Sequence, residues 1–198
     1  LSVHAAFCTL HHVNYRNFPE VLTSLEISEL TSIFFDIGIS SYQIDSRERG
    51  FSFQTDSVLD MRFDTTLGQS AKDYLNNSTF NDIGKIIRNY GQEKNRKRIS
   101  QSIVNAVKIG KMNTSFQLRA AIESVTHQNY LNKTLARVFQ AIRIHVNGEL
   151  ESLKKGLKYS VEYLQKGGRI GVISFHSLED RIVKNFFKKE ALQCVCPK

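Results

Sequence analysis

The chain has 198 residues, 41% of them hydrophobic and 23% charged, with only two prolines, which suits a packed core and excludes disorder and low complexity. No apolar run approaches the ~18 residues of a membrane span, and Leu1–Ala6 carries no secretory pattern. The formal net charge is +8, and the whole excess falls between Lys85 and Arg119, where nine basic residues accompany a single acid, Glu93.

Phe7–His11 is a short apolar run and predicts a first strand. Pro19–Leu25 predicts a short helix with proline in its first turn. Thr31–Gly38 is almost continuously apolar, β-branched and aromatic, the pattern of a parallel strand covered on both faces, and it ends on Asp36 and Gly38. A polar, acid-rich stretch follows from Ser40 to Asp64. Within it Asp56, Asp60 and Asp64 are spaced to align on a helix, but Arg49 and Arg62 beside them favour internal ion pairs, and no metal site is expected.

Ser78 or Thr79 caps a predicted helix that runs to Tyr90 and stops at Gly91. Ile99, Ile103, Val104 and Val107 back the basic run with an apolar stripe, and Ser115–Val125 predicts another short helix. Strand–helix alternation is lost here, so residues 46–130 are expected to form a helical insertion, which carries the basic segment, between parts of one α/β domain at 1–45 and 131–198. Leu131–Gln165 reads as one long helix, its apolar residues stepping by three or four, with Gly148 and Gly156 marking a kink or a close contact. Arg169–Phe175 predicts a third buried strand, and Ser177–Asp180 a capping-box-like start to a last helix ending near Lys189.

Three cysteines without an export signal exclude a disulfide framework, and the Cys194/Cys196 pair falls short of the four ligands of a zinc site. A reduced cytoplasmic chain is expected. The localised basic segment is the footprint of a polyanion, and Lys94, Arg96, Lys97 and Arg98 are the candidate phosphate contacts.

In open parallel sheets ligands bind beyond the carboxyl ends of strands. Two ends carry chemistry here, Asp36–Ser41 and Ser174–Ser177, which makes Asp36, Ser41 and His176 the candidate catalytic residues. The strings Asp36–Asp45 (DIGISSYQID), Glu48–Phe53 (ERGFSF) and Leu59–Asp64 (LDMRFD) resemble the signature of the ribosomal RNA small subunit methyltransferase H family. Gly168–Lys184 (GRIGVISFHSLEDRIVK) resembles its second signature, and Tyr90–Lys94 (YGQEK) and Phe139–Leu150 (FQAIRIHVNGEL) also look like that family. Tyr42 departs from it, standing where many members carry proline.

The resemblance implies an α/β fold, a partial class I methyltransferase (Rossmann-like) sheet with an inserted helical domain. It implies transfer of a methyl group from S-adenosylmethionine to the exocyclic N4 of a cytidine, with small-subunit ribosomal RNA or the small ribosomal subunit as partner. Matched by motif, Tyr15, Asp36 and Gln43 fall on cofactor-contacting positions. The family's glycine-rich cofactor loop and ribose-binding acid are expected upstream of Leu1, so this stretch is read as part of a longer protein and as inactive alone. The amine target agrees with the residues: carbon methylation at C5 would want a cysteine nucleophile, and neither strand-end loop has one.

Two other classes remain at this level. A non-catalytic RNA-binding assembly factor would show no S-adenosylmethionine binding. A DNA amino-methyltransferase usually carries Pro-Pro-aromatic after the acid, where this chain has Ile37-Gly38-Ile39-Ser40.

Overall fold

The computed structural model describes residues 8–46 and 48–191, without the side chains of Ser41 and Asp45. Phe7, Cys194 and Cys196 lie outside the described residues. The chain folds as two compact units, one of residues 1–38 and 150–198, the other of residues 39–149. Among the described residues no helix is long and apolar enough to cross a membrane.

The first unit is built on two parallel strands, β1 (Leu30–Asp36) and β2 (Leu164–Ile173), in register from Ile33 opposite Ile170 to Asp36 opposite Ile173. Alternation sorts their side chains. Ile33, Phe35 and Ile37 on β1 and its extension join Ile170 and Val172 of β2 in a core with Leu153 and Leu157. Leu153 and Leu157 lie on α8 (Glu149–Tyr163), while α9 (Ser177–Glu190) adds Ile182, Val183 and Phe186. Tyr15 and Phe18 close this cluster from the segment that starts α1 (Phe18–Ser24), where proline sits in the first turn as expected.

Phe34 corrects the expectation of strands covered on both faces: it points away from this core and stays 66% exposed. A continuous apolar run tells how a strand is composed, and burial needs a second layer that these residues do not provide. Cys8–His11 is likewise not a strand, since it pairs with nothing in the sheet and Leu10 is exposed.

The second unit is helical: α2 (Ser41–Asp45), α3 (Ala71–Asn77), α4 (Phe80–Asn89), α5 (Arg96–Lys108), α6 (Ser115–Glu123) and α7 (Leu131–Asn147). Its core runs through Leu59, Met61, Leu75, Ile83, Ile87, Ile99, Ile103, Leu118, Ile122, Leu135 and Ile142. Each such fully enclosed aliphatic side chain is worth roughly 1.5–3 kcal/mol relative to exposure. Thr79 caps α4 in a reciprocal box with Asp82, as the sequence suggests.

The long helix expected over 131–165 is instead two helices. Gly148 takes a left-handed φ of 59° between α7 and α8, and β2 already begins at Leu164. Only glycine adopts that conformation without penalty. The break is braced by Arg143, whose Nε and Nη2 donate to the two oxygens of Glu149 at 2.8 and 2.9 Å. Because α7 packs in the helical core, that unit extends beyond the expected 46–130 boundaries.

Residues 56–64 are not helical, so the three aspartates do not align. Asp60 takes Arg62 through both carboxylate oxygens, Asp56 accepts from the Phe116 amide, and Asp64 accepts from Thr66. Burial raises the Asp60 pKa, but the hydrogen bonds and charge of Arg62, helped by Arg49, outweigh it and hold the carboxyl below its usual value.

Candidate active site and nucleic-acid surface

In the first unit the strand tips gather four of the residues that matter. Asp36 ends β1 with its side chain exposed and makes no ion pair or side-chain hydrogen bond among the described residues. Two residues on, Gly38 turns the chain with φ of 107°, and the Phe175 ring beyond the tip of β2 sits where a Cβ would come within 2.9 Å. Phe175 is nevertheless 68% exposed. The expected buried strand over Arg169–Phe175 is corrected here: β2 ends at Ile173, and Phe175 stands in the turn beyond it.

His176 has a role the sequence did not assign. Its Nδ1 accepts from the Glu179 amide, and Glu179 Oε2 accepts from the amides of His176 and Phe175 at 3.2 and 2.9 Å. The capping box therefore belongs to His176 and Glu179, one residue earlier than the Ser177 start expected. Its Nε2 lies 3.3 Å from Glu179 Oε1, with both side chains largely buried. This arrangement fixes the β2-to-α9 turn and with it the position of Phe175.

Tyr15 packs edge-on against Phe35, centroids 5.6 Å apart, next to Asp36 in sequence. Gly156 of α8 permits this, since a Cβ there would stand 3.1 Å from the Tyr15 ring. The close-contact reading of Gly156 is the one the structure shows. Tyr15 therefore faces the core side of β1 with Phe35, while Asp36, the next residue along the strand, is exposed, and it is the carboxylate that suits a cationic organic group.

The remaining candidates lie in the second unit. Gln43 closes the capping box of α2, its Oε1 accepting from the amide and hydroxyl of Ser40 at 3.1 and 3.3 Å, which leaves its amide hydrogens for other use. Ser41 begins α2, and its side chain lies outside the described residues.

The basic segment turns out more positive on its surface than its sequence indicates. Glu93, its single acid, is buried, accepting from Arg137 Nη1 and Thr134 Oγ1 at 3.3 Å each and from the Asn95 amide at 3.0 Å. Of the nine cations, Arg119 alone forms an ion pair among the described residues, with Glu123. Lys94, Lys97 and Arg98 are exposed at the start of α5, whereas Arg96 is half-buried on the flank that carries Ser100 and Ile103. A surface of unpaired cations is what a phosphate backbone neutralises.

Two parallel strands with their polar and aromatic groups collected at the carboxyl tips are the arrangement of open α/β proteins that take ligands there. The chain belongs to the MraW methylase family, whose model matches residues 1–198. It is 47% identical over 188 residues to the ribosomal RNA small subunit methyltransferase H of Caldicellulosiruptor saccharolyticus, covering 94% of this chain and 61% of that one. The proteins of the same name from Syntrophotalea carbinolica and Pseudoalteromonas atlantica are 42% and 43% identical over 95% and 92% of the chain. The chain spans about 61% of the length of the first of these relatives.

Proposed function

We propose that the protein to which this chain belongs transfers a methyl group from S-adenosylmethionine to the exocyclic N4 of a cytidine in small-subunit ribosomal RNA. The observation that carries this reading is the exposed Asp36 carboxylate at the tip of a parallel strand, in a chain of a methylase family. The relatives' names support ribosomal RNA as substrate, and the exposed cations of the 94–98 stretch support a phosphate-bearing partner.

S-adenosylmethionine supplies an electrophilic methyl group on a sulfonium. Asp36 would hold it in the first unit, its exposed carboxylate favouring a positive centre, and Tyr15 is placed near it by the motif match. Gln43 joins them on the family resemblance alone. The cytosine amine is a weak nucleophile because its lone pair is delocalised into the ring. Asp36 is assigned to accept an N4 hydrogen, keep nitrogen density on the reacting atom, and take the proton as the C–N bond forms. Alignment of this kind, without a covalent enzyme intermediate, accounts for the absence of a cysteine from both strand-end loops. Ser41 is assigned a supporting hydrogen bond to the base. His176 is assigned as a positioning residue through its cap on α9; with Nδ1 accepting from the Glu179 amide, its Nε2 carries the ring hydrogen toward the Glu179 carboxylate and takes no proton from the base. The exposed Phe175 ring offers a wall for a base drawn out of its stack.

The test uses the full-length protein with methyl-labelled S-adenosylmethionine and small ribosomal subunits, followed by nucleoside mass analysis. N4-methylcytidine should form, and Asp36→Asn should lower kcat with RNA affinity unchanged. RNA binding with no S-adenosylmethionine binding by calorimetry would establish the assembly-factor reading instead, and methylation of duplex DNA in preference to RNA would establish the DNA enzyme.

A further inference from the structure

The helical unit contains a cavity of about 390 Å³ that no step of the proposed methyl transfer uses. One wall is aromatic. The Tyr74 and His145 rings lie 4.2 Å apart between centroids, and the Tyr90 ring stands 6.4 Å from His145 with the two planes only 25° apart. Apart from Ile86 the rest of the lining is polar: Asn77, Asn89 and Lys85 are there, together with Asp82, one of whose carboxylate oxygens is taken by Thr79 in the α4 cap. Asn77 gives an amide hydrogen to the Asp73 carbonyl at 2.8 Å, which leaves its carbonyl oxygen as an acceptor.

The Phe139–Leu150 string explains itself except at this point. Phe139 and Ile142 fill the core, Gln140 donates to the Tyr90 carbonyl, and Arg143 braces Glu149. Asn147 holds the chain at Met61 and Phe63 through two hydrogen bonds and gives a third to the Arg143 carbonyl, and Gly148 makes the break between α7 and α8. His145 does none of this work. It keeps an exposed edge at the cavity, while desolvation between the tyrosines pushes its pKa down, so that at neutral pH it presents an uncharged planar ring.

The ligand chemistry follows from the lining. A wall of aromatic rings, Tyr74 tilted 52° to His145, beside carboxamides and a lysine suits a planar heterocycle with hydrogen-bonding edges and a phosphate, which is how single-stranded RNA bases are taken up by proteins. The volume lies at the low end of ligand pockets, enough for one base with its sugar and too small for a helix or a duplex. We propose that this cavity holds one unpaired nucleobase of the RNA substrate, stacked on Tyr74 and His145, its edge met by Asn77 and Asn89 and its phosphate by Lys85. The proposal rests on the RNA-substrate reading above and adds to it a second point of contact, contained within the helical unit.

The test compares binding of a ten-nucleotide single-stranded RNA with that of an abasic oligonucleotide of equal length, using full-length protein. His145→Ala should weaken the base-bearing RNA by about 5- to 100-fold, the span expected for loss of one base–aromatic stack, and leave abasic binding unchanged. Tyr74→Phe, which keeps a ring, should retain most of the affinity that Tyr74→Ala loses. The His145 ring protons should shift upfield on adding the base-bearing RNA. Equal binding of both oligonucleotides by the wild type, or a His145 signal that stays put while RNA binds, overturns the pocket. Methylation measured in parallel separates the two readings. Base-dependent binding at His145 without methyl transfer removes the enzymatic proposal and keeps the pocket, and methyl transfer without base-dependent binding removes only the pocket.

Discussion

Replacing Lys94, Lys97 and Arg98 together by alanine tests whether the exposed cations of the helical unit bind phosphate. The three are exposed and unpaired among the described residues, so their removal touches no core residue and should leave stability within about 0.5 kcal/mol. Each lost contact to single-stranded RNA lowers the slope of log affinity against log salt by about 0.7, hence by about 2 for the three. Between 50 and 200 mM salt, a fourfold change, the wild type should therefore lose about 20-fold more affinity than the triple variant. The measurement is RNA-binding anisotropy of the full-length protein at four or five salt concentrations, with a urea melt to show that the variant is folded. Lys154→Ala combined with Lys158→Ala is the matched control. Those lysines pair with Glu151 and Glu162 on α8, so their loss should leave the slope nearly unchanged. A triple variant that is folded and keeps the wild-type slope refutes phosphate binding by this surface.

Asn147→Ala should be the costliest polar substitution in the helical unit. It removes the acceptor for the Phe63 amide and the donor to the carbonyl of Met61, a fully buried residue held at a left-handed φ of 60°. Two stranded backbone groups predict a loss of about 2–4 kcal/mol, read as a lower urea midpoint; less than about 1 kcal/mol would mean the loop holds itself. Gly156→Ala sets about 1 kcal/mol of gained helix propensity against the 3.1 Å approach to Tyr15. Stability should change little while S-adenosylmethionine binding weakens in calorimetry, and unaltered binding would remove Tyr15 from the donor site. Acid dependence follows from Asp60 and His145, both held below their ordinary pKa values. In each case the unfolded chain takes the proton first. The His145 contribution is complete above about pH 6.5 and declines as pH falls through the folded value, and that of Asp60 declines below its usual value of 3.8. His145→Phe should flatten the first region of the stability profile and Asp60→Asn the second.

Elements with a local cause were legible in the sequence. Proline in the first turn of α1 and the Thr79–Asp82 cap each fix their structure within a few residues. β1 and the core of β2 were legible as apolar runs, but their one-sided burial was not, because it depends on what packs against Phe34. Gly148 was read as a kink or close contact and not as a helix end, because apolar spacing continues through it and a single glycine's cost is small enough for a helix to absorb. What decides it is the left-handed turn and the Arg143–Glu149 bridge that braces it. At Asp56, Asp60 and Asp64 the ion-pair reading is met by the Asp60–Arg62 pair, and it is the helical alignment that fails. Their four-residue spacing has meaning only on a helix, and the segment is held in loops by Arg49, whose Nη2 bonds the carbonyls of Arg62 and Phe63.

The position of Asp36 at a strand end was readable, because a charge ends an apolar run there, and the burial of Glu93 was not, since its inward turn is fixed by Arg137 and Thr134, 44 and 41 residues away. That difference separates two kinds of residue within one motif. Arg143, Asn147, Glu93 and Glu179 each satisfy backbone or charge inside the fold, so their replacement should act first on stability. Asp36, Phe175, Lys97 and Arg98 sit at the surface without an ion pair among the described residues, and the fold gains little from their chemistry. An exposed carboxylate on a strand tip and an aromatic two-thirds open to water cost little to remove, which makes them clean probes. If Asp36→Asn and Phe175→Ala abolish methyl transfer at unchanged urea midpoints, the chemistry belongs to the strand tips. If instead only the internally satisfied residues affect activity, and do so in proportion to lost stability, the strand tips are part of the scaffold and the reacting groups lie elsewhere.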